Sequence, residues 1–321
     1  DEMRLFQNKS SYNRMNKKNR SLIFVLIAVL SWSTVATSFK IALRYFSHFE
    51  MLVVAALTAF LILALVTTVQ RKWSYLSQLS KKQWGRYALI GLLNPVIYYL
   101  VLFKAYDLLP AQIAQPINYF WPIVLLVLLA VVTRRAIPLI KYFGMAVSLA
   151  GVAVISSGSG SVLGTSVPVA GLLLALLSAF LWAFFWIVNQ ANKEIDGTVS
   201  LMLIFFFGSV YLLSAAFFVP VNLHSLPGVL AGMYVCAFEM AGPFVFFGMG
   251  LKENDNPVLI NQLCYLSPFL SLFIIQFVLR ENISLTTFVG LLLIVAGTIF
   301  NEYLAGHIQS KITSRRKKGI M

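Results

Sequence analysis

Residues 119–151, YFWPIVLLVLLAVVTRRAIPLIKYFGMAVSLAG, recur without a gap at 265–297 as YLSPFLSLFIIQFVLRENISLTTFVGLLLIVAG. A shift of 146 residues pairs Tyr119 with Tyr265, Pro122 with Pro268, Leu126 with Leu272 and Val132 with Val278. It also pairs Arg134 with Arg280, Ile137 with Ile283, Leu139 with Leu285, Gly144 with Gly290, and Ala150-Gly151 with Ala296-Gly297. Farther back, Leu26-x-Ala28-x-Leu30-Ser31 matches Leu173-x-Ala175-x-Leu177-Ser178 at a shift of 147. Apolar stretches match by chance often. The ordered Tyr-x-x-Pro, Arg, Gly and Ala-Gly series points instead to duplication.

What is duplicated follows from composition. Of 321 residues, 59% are hydrophobic and 11% charged, and the mean hydropathy is +0.82. Soluble chains carry about 45–50% apolar and about 25% charged residues. This balance excludes a water-soluble enzyme, a disordered tail and a disulfide scaffold. A membrane-crossing helix needs about 20 mostly apolar residues. Ten such segments occur, at 21–45, 49–69, 86–106, 111–133, 141–157, 169–190, 198–218, 227–250, 257–279 and 285–304. None shows the alternation of a barrel strand. The first runs past 19 residues with no small-residue cleavage site, so it reads as a retained span.

The expected fold is therefore an all-α integral membrane protein of ten transmembrane helices in two five-helix repeats, 21–157 and 169–304. They are joined by a Gly/Ser-rich linker at 158–168 and flanked by basic segments at 1–20 and 305–321. Five is odd, so the second repeat enters the membrane upside down. Inverted repeats are the architecture of many secondary transporters, with the substrate site near the midplane.

The formal charge of +14 fits the same picture. With the N-terminus cytoplasmic, 21 of the 25 basic residues fall on the cytoplasmic side, including Lys17, Lys18, Arg71, Lys72, Arg134, Arg135 and Lys317. Only Arg44 and Arg280 lie opposite, and Lys40 and Lys104 lie within spans. That bias predicts a multi-pass protein of the cytoplasmic membrane with both termini cytoplasmic. It does not suggest a nucleic-acid partner, since no aromatic-interleaved basic groove is present. Cys236 and Cys264 fall inside spans and read as free thiols.

Polar groups in hydrocarbon are costly and usually face a cavity or a partner helix. Span four carries Gln112, Gln115, Asn118, Tyr119 and Pro122, largely on one helical face, and span nine repeats this with Asn261, Tyr265 and Pro268. Such faces suit a shared cavity, and would serve equally as interhelical hydrogen-bond glue. Pro95, Pro122, Pro243 and Pro268 are candidate hinges, and Asn94 stands beside the first of them. Glu239 sits midway along span eight, as a proton carrier, a substrate-amine ligand or a structural carboxyl. Lys40 and Lys104 are candidate charge partners, with snorkelling to the interface as the plainer role. Lys104 has Asp107 three residues on. Trp32, Trp121, Trp182, Trp186, Tyr98 and Tyr99 lie deep in spans, suited to stacking on a substrate or to packing. Gly144-x-x-x-Ser148 and Ala146-x-x-x-Ala150 indicate close helix packing, within or between protomers. Neither a metal nor another cofactor is expected. There is no P-loop and no Ser-His-Asp arrangement, and His48, His224 and His307 are scattered.

The Leu30-Ser31-Trp32 start followed by Lys40, the Gly-x(5)-Ala-Gly ends of spans five and ten, and the repeat itself resemble the drug/metabolite transporter superfamily in its ten-helix EamA-type branch. Asn118-Tyr119-Phe120-Trp121-Pro122 is similar to a stretch of the YddG-type aromatic amino-acid exporters. The resemblance implies a basket-like bundle in which helices one, three, four, six, eight and nine surround a cavity, with five and ten outside. It implies export by alternating access, with Trp32, Asn118, Tyr119, Trp121, Tyr265 and Trp182 in the cavity. Ser267 stands where the first repeat has Trp121, and Glu239 lies outside the exporter pattern. The expected function is export of a small amphipathic metabolite, an amino acid or related compound, by a monomer or a homodimer in the lipid bilayer. The competing classes are a membrane-embedded enzyme and a non-transporting sensor for lipid-phase ligands.

Overall fold

The computed structural model describes residues 2–134, 136–163, 168–190, 195–253 and 263–304. Among them, nine helices are long and apolar enough to cross a membrane. They are α1 (Lys17–Ala42), α2 (His48–Val69), α3 (Lys81–Leu108), α4 (Ala111–Thr133) and α5 (Leu139–Gly158), followed by α6 (Val169–Asn189), α7 (Gly197–Ala215), α8 (Leu226–Gly250) and α10 (Leu285–Glu302). Between the last two lies a shorter apolar helix, α9 (Leu266–Leu279). The chain is an all-α membrane protein with ten apolar helices in the order the hydropathy pattern predicts.

Helix ends carry the signals their positions require. Ser47 and Glu50 form a capping box at the start of α2: Ser47 Oγ accepts from Glu50 N and Ser47 N donates to Glu50 Oε2. Asp196, Ser225 and Ser284 cap α7, α8 and α10 through their side-chain oxygens. The repeat-equivalent Arg134 and Arg280 both take left-handed backbone, at φ 52° and 57°, where α4 and α9 end. Their match in sequence is therefore a match in backbone shape, at a conformation that disfavours a side chain by about 1–2 kcal/mol.

The compact units are not the two sequence repeats. One comprises residues 1–88 and 194–274, the other residues 89–193 and 275–321. In the first, α1 from the first repeat packs on α8 and α9 from the second. In the second, α6 packs on α3 and α4. The two three-helix groups are repeat images of each other, with α1 and α6 exchanged. The shared Leu-x-Ala-x-Leu-Ser motif shows why: Ala28, Ser31, Ala175 and Ser178 are buried, whereas Leu26, Leu30, Leu173 and Leu177 are exposed. The motif encodes one apolar outer face and one small-residue inner face, used identically twice.

Each unit also holds an antiparallel pair whose two members are repeat equivalents. In the first unit this is α2 and α7. Glu50 and Asp196, equivalent at the helix starts, each grip the connection that follows the other helix. Glu50 Oε1 accepts from Asn222 N at 2.7 Å, and Asp196 Oδ2 pairs with Lys72 Nζ at 2.8 Å. In the second unit the pair is α5 and α10. Gly151 and Gly290 face each other, and so do Gly144 and Gly297. Between them Ser148 Oγ donates to Ile294 O at 3.0 Å. Small residues let the backbones touch, which is how helices associate where lipid is as apolar as leucine. The Gly144-x-x-x-Ser148 pattern thus acts within the chain, while Ala146 and Ala150 lie on the exposed side of α5.

Candidate functional site

Among the described residues, α3, α4, α8 and α9 are interrupted near an in-span proline, two in each unit and on repeat-related helices, and further wide turns end α9 at Ile275–Leu279 and α10 at Phe300–Leu304. In α3 a wide, π-type turn spans Leu92–Ile97, and in α8 one spans Cys236–Ala241. α4 breaks at Tyr119-Phe120, and α9 begins immediately after Tyr265. Proline explains the placement. Having no N–H, it cannot bond the carbonyl four residues back. Pro95, Pro122, Pro243 and Pro268 thereby offer no helical N–H to the carbonyls of Gly91, Asn118, Glu239 and Cys264. All four prolines stand within three residues of an interruption. In α8 the Gly242 N–H bonds Ala237 O, five residues back, and a side chain at Gly242 would strike that carbonyl. Wide turns of this kind are frequent at functional sites, and broken membrane helices expose backbone groups to a substrate.

In the unit of residues 89–193 and 275–321, Asn94 takes extended backbone (φ −140°, ψ 120°), as the residue before a proline must. Asn94 is 4% exposed and Gln115 5%, and their side-chain oxygens accept no hydrogen bond from any described residue. Each orphaned oxygen costs about 1–3 kcal/mol unless a ligand or water supplies a donor. Asn118, one turn on, is engaged: its Nδ2 donates to Ser178 Oγ at 2.8 Å. Tyr98 lies against Trp182, with ring centroids 4.8 Å apart, and Tyr99, Phe185 and Trp186 extend the aromatic cluster. Tyr119 and Trp121 are half-buried on either side of the α4 break. Gln112 is occupied elsewhere. Its Nε2 donates to Asn282 O and its Oε1 accepts from Ser284 N, while Glu281 accepts from the Ala111 and Gln112 N–H groups. It therefore ties the α9–α10 connection to the start of α4.

In the unit of residues 1–88 and 194–274, Trp32 meets Phe244 edge-on at 6.0 Å and Phe247 at 5.6 Å. Glu239 is half-buried within the wide turn of α8. One turn before it, Tyr234 stacks on Phe238 and its hydroxyl bonds Thr34 Oγ1 at 2.8 Å. The hydroxyls of Ser31, Ser33, Thr34 and Ser38 return to carbonyls of their own helix. Tyr265 and Lys40 are half-buried, and Asn261 lies outside the described residues. Lys104 pairs with Asp107 at 2.7 Å, with both side chains about two-fifths exposed, so its charge is met at the surface.

Sequence reasoning missed Ser178 as the partner of Asn118. The duplicated Leu-Ser motif marks it, because a serine conserved through the repeat on the inner face of α6 sits where α4 approaches. It also missed Phe244 and Phe247, which carry no polar signal.

The model of the EamA-like transporter family matches twice, at residues 19–157 and 169–303. An uncharacterised transporter of Bacillus subtilis (strain 168), YvbV, is 27% identical over 284 residues, covering 87% of this chain and 90% of the relative. A solved crystal structure superposes with a TM-score of 0.61 at 20% identity, over 90% of this chain and 98% of that one. That likeness speaks to the fold.

Proposed function

Since this chain belongs to the EamA-like transporter family and is a multi-pass membrane transporter, we propose that it exports small amphipathic metabolites, amino acids or related compounds, by alternating access. The observation that carries this reading is the pairing of interruptions. Helices α3 and α4 are broken in the first repeat and α8 and α9 at the related places in the second. The odd span count sets those pairs in opposite directions across the bilayer. Two oppositely directed sets of hinges are what a carrier needs to open toward one side and then the other. The α2–α7 and α5–α10 pairs, closed by acid caps and by glycine contact, suit a stationary frame. The candidate substrate contacts are Trp32, Asn94, Tyr98, Gln115, Asn118, Tyr119, Trp121, Trp182, Glu239, Asn261 and Tyr265. Glu239 is the proposed coupling carboxyl. The basic bias supports a location in the cytoplasmic membrane with both termini inside.

Counterflow in proteoliposomes tests the reading. Vesicles preloaded with an unlabelled amino-acid mixture should transiently accumulate the matching labelled compound above the level of protein-free vesicles. Flat traces across amino acids, amines, nucleosides and sugars would contradict it.

A further inference from the structure

In the unit of residues 1–88 and 194–274, the chain from the end of α2 into the first turn of α3 carries Arg71, Lys72, Lys81 and Lys82 and no acid. Lys72 is paired with Asp196 at 2.8 Å. Arg71, Lys81 and Lys82 are exposed and make no ion pair among the described residues. Arg71 leaves α2 with left-handed backbone, at φ 55°. Its N–H bonds Thr68 O, and the N–H of Lys72 bonds Thr67 O, a helix ending in which glycine is the usual residue at this place. The arginine side chain is therefore kept at a strained position, and no described residue holds its charge. Trp73 fixes which side of α2 the chain leaves on. Leu61, Leu65 and Val69 are 64%, 64% and 75% exposed and share one face of α2 with Thr68. Trp73, itself 44% exposed, donates from Nε1 to Thr68 Oγ1 at 3.0 Å. Its indole thus lies at the end of the lipid-facing side of α2, where tryptophan anchors a chain in the headgroup layer.

We propose that this corner of α2 binds anionic phospholipid of the surrounding leaflet. The acyl chains lie along Leu61, Leu65 and Val69, and the indole of Trp73 sits at the level of the glycerol. Arg71 meets the phosphate, with Lys81 and Lys82 offering further charge beyond the six-residue 3-10 helix Trp73–Gln78. A guanidinium pairs with phosphate through two parallel hydrogen bonds. Each basic group at an anionic membrane surface shifts partition by about fivefold. A phosphatidylcholine headgroup brings its own cation to its phosphate, so the lipid with net negative charge is favoured. A soluble phosphate satisfies the arginine and leaves the apolar face of α2 uncovered. This surface stands apart from the transport reading, and neither depends on the other.

The test gives the purified full-length protein, in an uncharged detergent, equal amounts of dioleoylphosphatidylglycerol and dioleoylphosphatidylcholine and counts retained lipids by native mass spectrometry. The wild type should retain the anionic lipid over the neutral one by about tenfold. Arg71→Gln combined with Lys81→Gln and Lys82→Gln should bring that ratio within about twofold. Lys17→Gln combined with Lys18→Gln and Arg134→Gln removes the same charge from other exposed positions and should leave the ratio unchanged. Arg71→Gly should raise the melting temperature in lipid-free detergent, because glycine takes the left-handed backbone without strain. The same variant should lower the lipid ratio by about fivefold. Inorganic phosphate should not displace the lipid. Equal retention of the two lipids overturns the inference and leaves an ordinary lipid-facing helix. An equal loss in the Lys17, Lys18 and Arg134 variant overturns it in favour of diffuse charge. Displacement by inorganic phosphate overturns it in favour of a soluble anion. An Arg71→Gly protein that melts lower and keeps its lipid ratio overturns it too, since the arginine is then structural.

Discussion

Alanine at Gly151 or Gly290 is expected to cost about 1–3 kcal/mol of stability, and leucine at either is expected to leave no folded protein in detergent extracts. A Cβ at Gly151 would stand 2.5 Å from Gly290 O, and one at Gly290 would stand 2.7 Å from Gly151 O. These backbone oxygens cannot rotate away, and at Gly290 the side chain of Ile155 crowds the same space. The helices must separate, and Ser148 then loses its bond to Ile294 O as well. Because the two glycines are repeat equivalents that meet each other, the two alanine variants should be affected alike. Leucine at Ala146, on the exposed side of the same helix, is the control and should be neutral. Thermal unfolding of the purified variants reads the difference. Equal melting temperatures for Gly151→Ala and Ala146→Leu would mean that the glycines do not hold this seam.

The second large effect concerns Glu239. If its carboxyl couples transport to a proton, a gradient of one pH unit supports about tenfold accumulation per proton carried. Glu239→Gln should abolish that accumulation and bring the internal and external concentrations level. Counterflow exchange, which needs no driving ion, should survive, because the Gly242 contact with Ala237 O and the missing N–H of Pro243 are unchanged in this variant. Labelled-substrate uptake with and without an imposed pH gradient distinguishes the two. A Glu239→Gln protein that responds to the gradient as the wild type does would remove the proton role. A variant that loses both accumulation and exchange would make Glu239 a substrate ligand or a structural group.

The parts of this molecule that were legible in its sequence are those for which the bilayer leaves no choice. A span must be long and apolar and must satisfy its own backbone, so helix boundaries agree with hydropathy to within a few residues at most ends. The interruptions were legible wherever a proline removes a donor, as at Pro95 and Pro268. That α8 widens into a π-type turn was not, because it depends on Gly242 accepting close contact with Ala237 O. Partner choice was the least legible. Leucines facing lipid and leucines facing a neighbour look the same, so nothing in the apolar pattern alone assigns α1 to α8 and α9, or α6 to α3 and α4. The inner faces of those helices are marked only by small residues such as Ala28, Ser31, Ala175 and Ser178.

The polar face of α4 divides for a physical reason that helical spacing does not contain. Gln112 lies in the first turn, beside orphan N–H groups and an approaching loop, and both ends of its amide are taken. Gln115 is one turn deeper, beyond reach of that loop, and its oxygen is left without a donor. Position along the helix axis separates a structural amide from a candidate binding amide on the same face.

Alternating access as proposed requires two halves inserted in opposite directions. Ser77 and Leu223 are related by the repeat shift, and both are exposed in connections after equivalent helices, α2 and α7. Single cysteines at these positions, in a protein with Cys236 and Cys264 replaced by serine, can be probed with a membrane-impermeant maleimide. Leu223→Cys should react in intact cells, and Ser77→Cys should react only after permeabilisation. Labelling of both positions from the same side would contradict the inverted repeat and the transport mechanism built on it.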